Sequence, residues 1–124
     1  MAQAAHSVEE YATGLYAVFP PARFASSLVS RDPATGFAVL NAAIVGFGLW
    51  CWAVPVRAQW PSARGIAVGW AVVELANGTV HLLLAAANGG YFPGAATAPL
   101  LLACGGWLAL QLYGSSSPAR RGRS

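Results

Sequence analysis

The middle of the chain reads Glu74-Leu75-Ala76-Asn77-Gly78-Thr79-Val80-His81, a set of polar groups inside an otherwise apolar run over 65–87. On a helix, Glu74, Asn77 and His81 lie at i, i+3 and i+7 and therefore share one face. Each of these groups would cost about 2–3 kcal/mol at the centre of a bilayer unless it found a partner, a metal or water. The stretch therefore predicts a membrane helix that carries a functional site.

The composition favours a membrane protein over a soluble domain. Apolar residues make up 56% of the chain and charged residues 9%, whereas soluble domains are about 25% charged. The formal net charge is +3, but there is no lysine and no basic–aromatic pattern, so we expect no nucleic-acid partner. Cys51 and Cys104 lie in apolar runs without CxxC spacing, which argues against a disulfide and against a zinc or redox site.

The apolar runs predict an all-α fold, a small integral membrane bundle of three to four transmembrane helices in one domain over residues 1–113. We expect helices at about 4–19, 37–56, 65–87 and 95–113, the first ending at Pro20-Pro21. Residues 22–36 should be a polar connection and 114–124 a disordered basic tail.

The arginines predict how the bundle is oriented in the cell membrane. Most of them lie in the tail and in the turn over 57–64, so the tail is expected on the cytoplasmic side, with the lipid bilayer as partner. Gly65 and Gly69 have the small-xxx-small spacing that favours close approach of a neighbouring helix.

A second polar cluster, His6-Ser7-Val8-Glu9-Glu10, lies near the start of the chain. The spacing of its histidine and glutamates is the one that helix bundles use for metal sites, although a solvated first helical turn is the alternative. Counting the helical rise from the membrane surface brings Glu10 near the level of Glu74. The same count places His6 much further from His81.

The two clusters together predict a site that binds a divalent metal, Zn²⁺, Fe²⁺ or Mn²⁺. An open metal position would activate water or a lipid-like substrate, for hydrolysis, hydroxylation or desaturation. Glu74 would be either a stretched ligand or a group that orients a histidine. The expected catalytic residues are Glu10, Glu74 and His81, and the expected metal ligands are His6, Glu9, Glu10, Asn77 and His81.

Three short motifs resemble a known family. His6-Ser7-Val8-Glu9-Glu10 matches the motif that names the HXXEE family of small uncharacterised proteins, and Asn77-Gly78-Thr79-Val80-His81 is similar to its Asn-x-x-x-His element. Tyr91-Phe92-Pro93-Gly94, followed by Thr97, is similar to its Tyr-x-Pro-Gly segment. The resemblance implies a helical membrane protein whose His and Glu residues form a metal-dependent or acid/base site.

Two other functional classes remain open from the sequence. A buried glutamate beside a neutral histidine would also serve metal-free acid/base catalysis, as in an isomerase acting on a lipid. Alternatively, the polar stripe would line an ion or proton path, bind a membrane subunit, or hydrogen-bond the helices to one another. One chain of this length is too small to enclose an ion or proton path, but several copies in a homo-oligomer could form one between them.

Overall fold

The computed structural model describes residues 2–114, which form helices and their connecting turns. The chain is all-α, as the sequence predicts. The expected disordered tail lies outside the described residues, apart from Gly114. The helices are α1 (Ala2–Ala12), α2 (Leu15–Val18), α3 (Pro20–Ser27), α4 (Pro33–Cys51), α5 (Ala63–Ala87) and α6 (Ala98–Gly114), and a π-helical turn (Trp52–Val56) continues α4.

Residues 2–27 form three short helices, α1, α2 and α3, where the sequence predicts one. One helix was expected over about 4–19, but Gly14 adopts a left-handed conformation, with φ 74° and ψ 38°, and separates α1 from α2. Pro20 then occupies the first position of α3, where its fixed φ favours helix initiation and its missing N–H costs nothing. The expected polar connection over 22–36 is therefore helical as far as Ser27 and again from Pro33, where α4 begins.

The two central helices agree closely with the expected spans. Asp32 caps α4 by accepting a hydrogen bond from the Thr35 backbone N–H at 2.9 Å. Pro55 lacks an N–H, and the wider π-helical turn forms around it. The segments Pro33–Val56 and Ala63–Ala87 are each long and apolar enough to cross a membrane.

α5 and α6 pack closely because small residues separate their backbones. A Cβ atom added at Gly78 would lie 2.9 Å from the Ala98 carbonyl oxygen, and one added at Gly105 would lie 3.0 Å from the Cβ of Glu74. The prediction of close approach at Gly65 and Gly69 was wrong, because nothing in the described chain lies within 4 Å of a Cβ built at either position. The interface therefore uses glycines further along α5.

α1 occupies the position that completes the bundle. It contacts both α4 and α6, and it buries His6, Ser7 and Glu10 rather than a row of aliphatic side chains. A small apolar cluster of Leu15, Phe37 and Phe92 lies beside it. The polar groups of α1 thus face the interior, opposite α5 and the segment that leads into α6.

Candidate metal centre

Three side chains from two helices meet in the interior of the protein. Nε2 of His6 lies 3.2 Å from Oε1 of Glu10, and Nε2 of His81 lies 3.0 Å from the same oxygen. All three residues are buried: His6 is 0% exposed, Glu10 6% and His81 3%. Their ligand atoms all lie within 4.8 Å of one another, a separation that one metal ion can bridge.

The contact between the two histidines corrects the sequence analysis, which placed them far apart. Their ring centroids are 4.6 Å apart, with the ring planes at 83°. Depths measured along both helices from the membrane surface put the two rings on different levels. In the structure α1 instead lies beside the C-terminal half of α5, so His6 and Glu10 are level with His81.

His6 is held through its other ring nitrogen by a relay of hydrogen bonds. Its Nδ1 lies 2.7 Å from the hydroxyl oxygen of Thr97, and that hydroxyl donates its proton to Oε2 of Glu9. Because an ionised carboxylate only accepts, the Thr97 oxygen is left to accept from His6, whose proton must then be on Nδ1. When the ring is neutral, its Nε2 therefore carries the lone pair.

His81 is fixed in the same way by a backbone group. Its Nδ1 lies 2.6 Å from the carbonyl oxygen of Pro93, and a carbonyl can only accept, so this nitrogen also carries the proton. The next residue, Gly94, has φ 91°, and a Cβ atom there would overlap the His81 ring. The Pro-Gly turn therefore needs glycine both for its backbone conformation and for the space that the imidazole occupies.

Three electron-pair acceptors consequently point at one another. When both rings are neutral and protonated on Nδ1, the two Nε2 atoms and the Glu10 oxygen offer lone pairs, and Nε2 of His6 is buried without a directed hydrogen bond in the described chain. These three atoms repel one another unless a metal ion, or a proton on one of the Nε2 atoms, lies between them. A histidine that binds a metal through one nitrogen typically donates its other N–H to a carbonyl or carboxylate system, which is the arrangement seen here.

Glu9, an expected metal ligand, has a different role in the structure. Its oxygens accept hydrogen bonds from the Tyr91 hydroxyl, from the Ala96 and Thr97 backbone N–H groups and from the Thr97 hydroxyl. Neighbouring helical positions point about 100° apart, so Glu9 faces the start of α6 while Glu10 faces the histidines. Glu9 therefore positions Thr97, and through it His6.

These contacts also determine the charge of Glu9. Burial raises the pKa of this carboxyl, but the hydrogen bonds from Thr97, Tyr91 and Ala96 outweigh it and hold the pKa at about 2. Burial and the bond to Glu9 in turn raise the pKa of Tyr91. Glu9 is thus an anion at neutral pH, as the orientation of the Thr97 hydroxyl requires.

The remaining expected site residues do not join the cluster. Glu74, two turns before His81 on α5, is only partly buried, and its Oε2 is enclosed without a hydrogen-bond partner among the residues that the structure describes. Asn77 is partly buried, and its side chain has no hydrogen bond to the cluster in the described chain. Cys51 and Cys104 are free thiols, the first buried and the second exposed.

Four residues that shape the site were not assigned a role from the sequence: Tyr91, Pro93, Gly94 and Thr97. They entered only as a motif shared with a family. A usable signal existed in Thr97, one of the few polar residues beside the last apolar run, and in a Pro-Gly pair that follows a tyrosine. Nothing local indicated that this turn would reach residues near the start of the chain.

The fold and the cluster define a class of protein, a small helical bundle with a buried His-Glu-His set. A family model described as a protein of unknown function with HXXEE motif matches residues 1–108. The chain belongs to this family, and His6, Glu9 and Glu10 are the residues of its motif. Comparison with curated proteins and with solved structures gave no significant match.

Proposed function

We propose that this protein is a metal-dependent membrane enzyme that acts on a lipid-like substrate at the His6–Glu10–His81 cluster. The observation that carries the proposal is the convergence of three acceptors whose histidine Nδ1 atoms are both already committed to other partners. A buried arrangement of this kind is stable when a cation binds between the acceptors. The protein therefore has the features of a preformed metal site.

The donor set narrows the choice of metal and of chemistry. Two neutral imidazoles and one carboxylate suit Zn²⁺ in hydrolytic sites and Fe²⁺ in oxygenases, and Mn²⁺ is compatible with the same set. Three protein ligands would leave a position for water or substrate, and the bound metal would act there as a Lewis acid. Glu9, Thr97 and the Pro93 carbonyl would keep both imidazoles in the tautomer that binds.

A bilayer is the environment that best explains the outside of the bundle. In Pro33–Val56 and Ala63–Ala87, only 11% and 22% of the most apolar window is buried inside the protein, whereas the core helix of a soluble protein would be mostly buried. Large apolar residues such as Val72, Leu83 and Leu110 are exposed. We assign α4 with its π-helical turn, α5 and the shorter α6 as spans, with the C-terminal tail cytoplasmic.

A second function is favoured by one distance. Nε2 of His81 and Oε1 of Glu10 are 3.0 Å apart, which is the length of a hydrogen bond, so a single proton would link them without any metal. The pair would then act as general acid and base, moving a proton between carbons of a membrane-soluble substrate in an isomerase-like reaction.

Elemental analysis of the purified protein tests the metal function. Wild type, His81→Ala and Glu10→Gln are compared in metal-to-protein ratio, and Glu74→Gln is the matched control because it makes the same change outside the cluster. We expect near-stoichiometric metal in wild type and in the control, and loss of the metal in the two cluster variants. A folded wild-type protein that never met chelator and holds no metal would overturn the proposal and leave acid/base catalysis.

A further inference from the structure

One end of the bundle carries exposed arginines and tryptophans. α4, with its π-helical turn, is joined to α5 at this end. α6 ends there as well, because Nη2 of Arg64 donates a hydrogen bond to the Leu112 carbonyl oxygen at 2.7 Å. Two arginines and two tryptophans of this end are exposed. We call these four residues, Trp52, Arg57, Trp60 and Arg64, the arginine–tryptophan patch.

The patch has no acidic side chain near it. No aspartate or glutamate occurs between Asp32 and Glu74, and none follows Glu74 in the sequence. Asp32 precedes α4 and so lies at the opposite end of that helix. Glu74 is ten residues beyond Arg64 on α5, which is about 15 Å of helical rise. The sequence after α6 adds only positive side chains, Arg120, Arg121 and Arg123.

The opposite end of the bundle is more evenly charged. Arg23 on α3 and Arg31 in the turn before α4 lie at that end. Two carboxylates accompany them, since Asp32 caps α4 and Glu9 accepts hydrogen bonds at the start of α6. An excess of arginine over acidic residues is therefore found only at the end that carries the patch.

We infer that the arginine–tryptophan patch binds the phosphate group of an anionic phospholipid. The inference rests on the bilayer assignment made with the proposed function, and it does not require a metal to be bound. We place this end of the bundle on the cytoplasmic side, where anionic lipids attract basic residues that flank membrane helices. The patch would thus select one class of lipid from the surrounding bilayer.

The position of Arg57 suits a phosphate ligand. Its guanidinium carbon lies over the Trp52 ring, 5.4 Å from the ring centroid, and a cation–π contact of this kind restrains the side chain. The five N–H groups of a guanidinium lie in its plane, and two of them can donate in parallel to one phosphate. The contact with Trp52 therefore orients Arg57 without using its hydrogen-bond donors.

Two features favour an anionic phospholipid over other phosphates. Phosphatidylcholine carries a cation beside its phosphate, and the patch offers two arginines and no carboxylate to that cation. Inorganic phosphate has no acyl chains, whereas the exposed rings of Trp52 and Trp60 are of the type that contacts lipid at the membrane interface. A lipid with a net negative headgroup satisfies both the arginines and the tryptophans.

Native mass spectrometry in a neutral detergent tests the inference, because it counts bound lipid and bound metal in one spectrum. Phosphatidylglycerol and phosphatidylcholine with identical acyl chains are added separately to wild type, Arg57→Gln and the double variant Arg57→Gln/Arg64→Gln. We expect wild type to prefer phosphatidylglycerol. Arg57→Gln should bind it about fivefold more weakly and the double variant about 25-fold more weakly, a factor of about five for each arginine.

The matched control is Arg23→Gln/Arg31→Gln, which removes the same charge from the opposite end and should bind phosphatidylglycerol like wild type. A control that loses as much binding as the double variant would overturn the inference, since net charge alone would then decide. Equal binding of the two lipids by wild type would also overturn it. Arg57→Gln leaves the hydrogen bond from Arg64 to Leu112 in place, so unchanged binding in this folded variant would contradict the role of Arg57.

Two further readouts separate the alternatives. Inorganic phosphate at the same concentration should not displace the lipid, and displacement would assign the patch to free phosphate instead. The metal-to-protein ratio should be the same in all four proteins. A wild-type protein without metal that still prefers phosphatidylglycerol would refute the metal function and leave this inference intact.

Discussion

Replacing Thr97 by valine should weaken metal binding although Thr97 contacts no metal. The substitution keeps the side-chain shape and removes the oxygen that accepts from Nδ1 of His6 at 2.7 Å and donates to Glu9. Without that acceptor, the neutral His6 ring would place its proton on Nε2, where Oε1 of Glu10 lies 3.2 Å away and can accept it. A metal would then have to displace this proton.

The magnitude follows from the hydrogen bond that the metal would have to break. A buried hydrogen bond to a charged group contributes about 1.5–3 kcal/mol, and His6 is 0% exposed, so little solvent screening applies. At about 1.4 kcal/mol per factor of ten, affinity should fall by about 10–100-fold. This is also the range seen when the hydrogen-bond partner of a metal-binding histidine is removed.

Competition with a chelator of known affinity measures this change. Thr79→Val is the matched control, because Thr79 is an exposed residue of α5 whose hydroxyl donates to the Leu75 carbonyl oxygen of its own helix. The control should bind metal like wild type, and both variants should retain their helical circular dichroism. Unchanged metal affinity in a folded Thr97→Val protein would refute the tautomer argument.

Three further predictions concern residues that position the site or hold its helices together. Gly94→Ala should lower both metal content and thermal stability, because its Cβ would overlap the His81 ring. Gly89→Ala is the control: it has a similar φ of 67° but nothing within 4 Å, so it should show only the cost of backbone strain. Equal losses in the two variants would contradict this prediction. Gly78→Ala should destabilise the α5–α6 interface by about 1–3 kcal/mol, seen as a lower Tm, and Gly69→Ala should not lower it. Glu9 has its pKa lowered to about 2 in the fold from an ordinary value of 4.5, so its contribution is complete above about pH 4.5 and is lost as the pH falls toward 2. The Tm difference between wild type and Glu9→Gln should therefore be constant above about pH 5 and shrink below it, and a difference that does not shrink would exclude this role.

The parts of the fold that the sequence predicted are those determined by length and hydrophobicity. A run of about twenty apolar residues must be helical if it crosses a bilayer, so α4 and α5 were found within a few residues. The breaks around α2 and α3 depend instead on one left-handed glycine, Gly14, and on a proline that can either end a helix or begin one. Residue type alone does not distinguish those two uses of proline.

The candidate site was predicted in composition more accurately than in geometry. His6, Glu10 and His81 were chosen because buried polar groups need partners, and the structure brings the three together. Glu9 and Glu10 could not be told apart, since both lie three or four residues from His6 and only the packing of α1 decides which faces α5. The role of the turn before α6 was not predicted, because every residue has a backbone carbonyl. Residue types therefore do not show that the Pro93 carbonyl is the one that accepts from His81.

The hydrogen bond from His6 to Thr97 joins residues 91 positions apart, and this has a consequence for the order in which the protein assembles. α1 is synthesised before the other described helices, yet its imidazole has no acceptor until the turn before α6 has been made and folded back. If α4 and α5 insert as proposed before the turn is made, His6 lacks its Thr97 acceptor and Glu9 lacks all its donors, while Glu10 already has His81. The cluster that we propose as a metal site is therefore completed at the last step of biogenesis, and metal retention would then distinguish finished molecules from partly inserted chains.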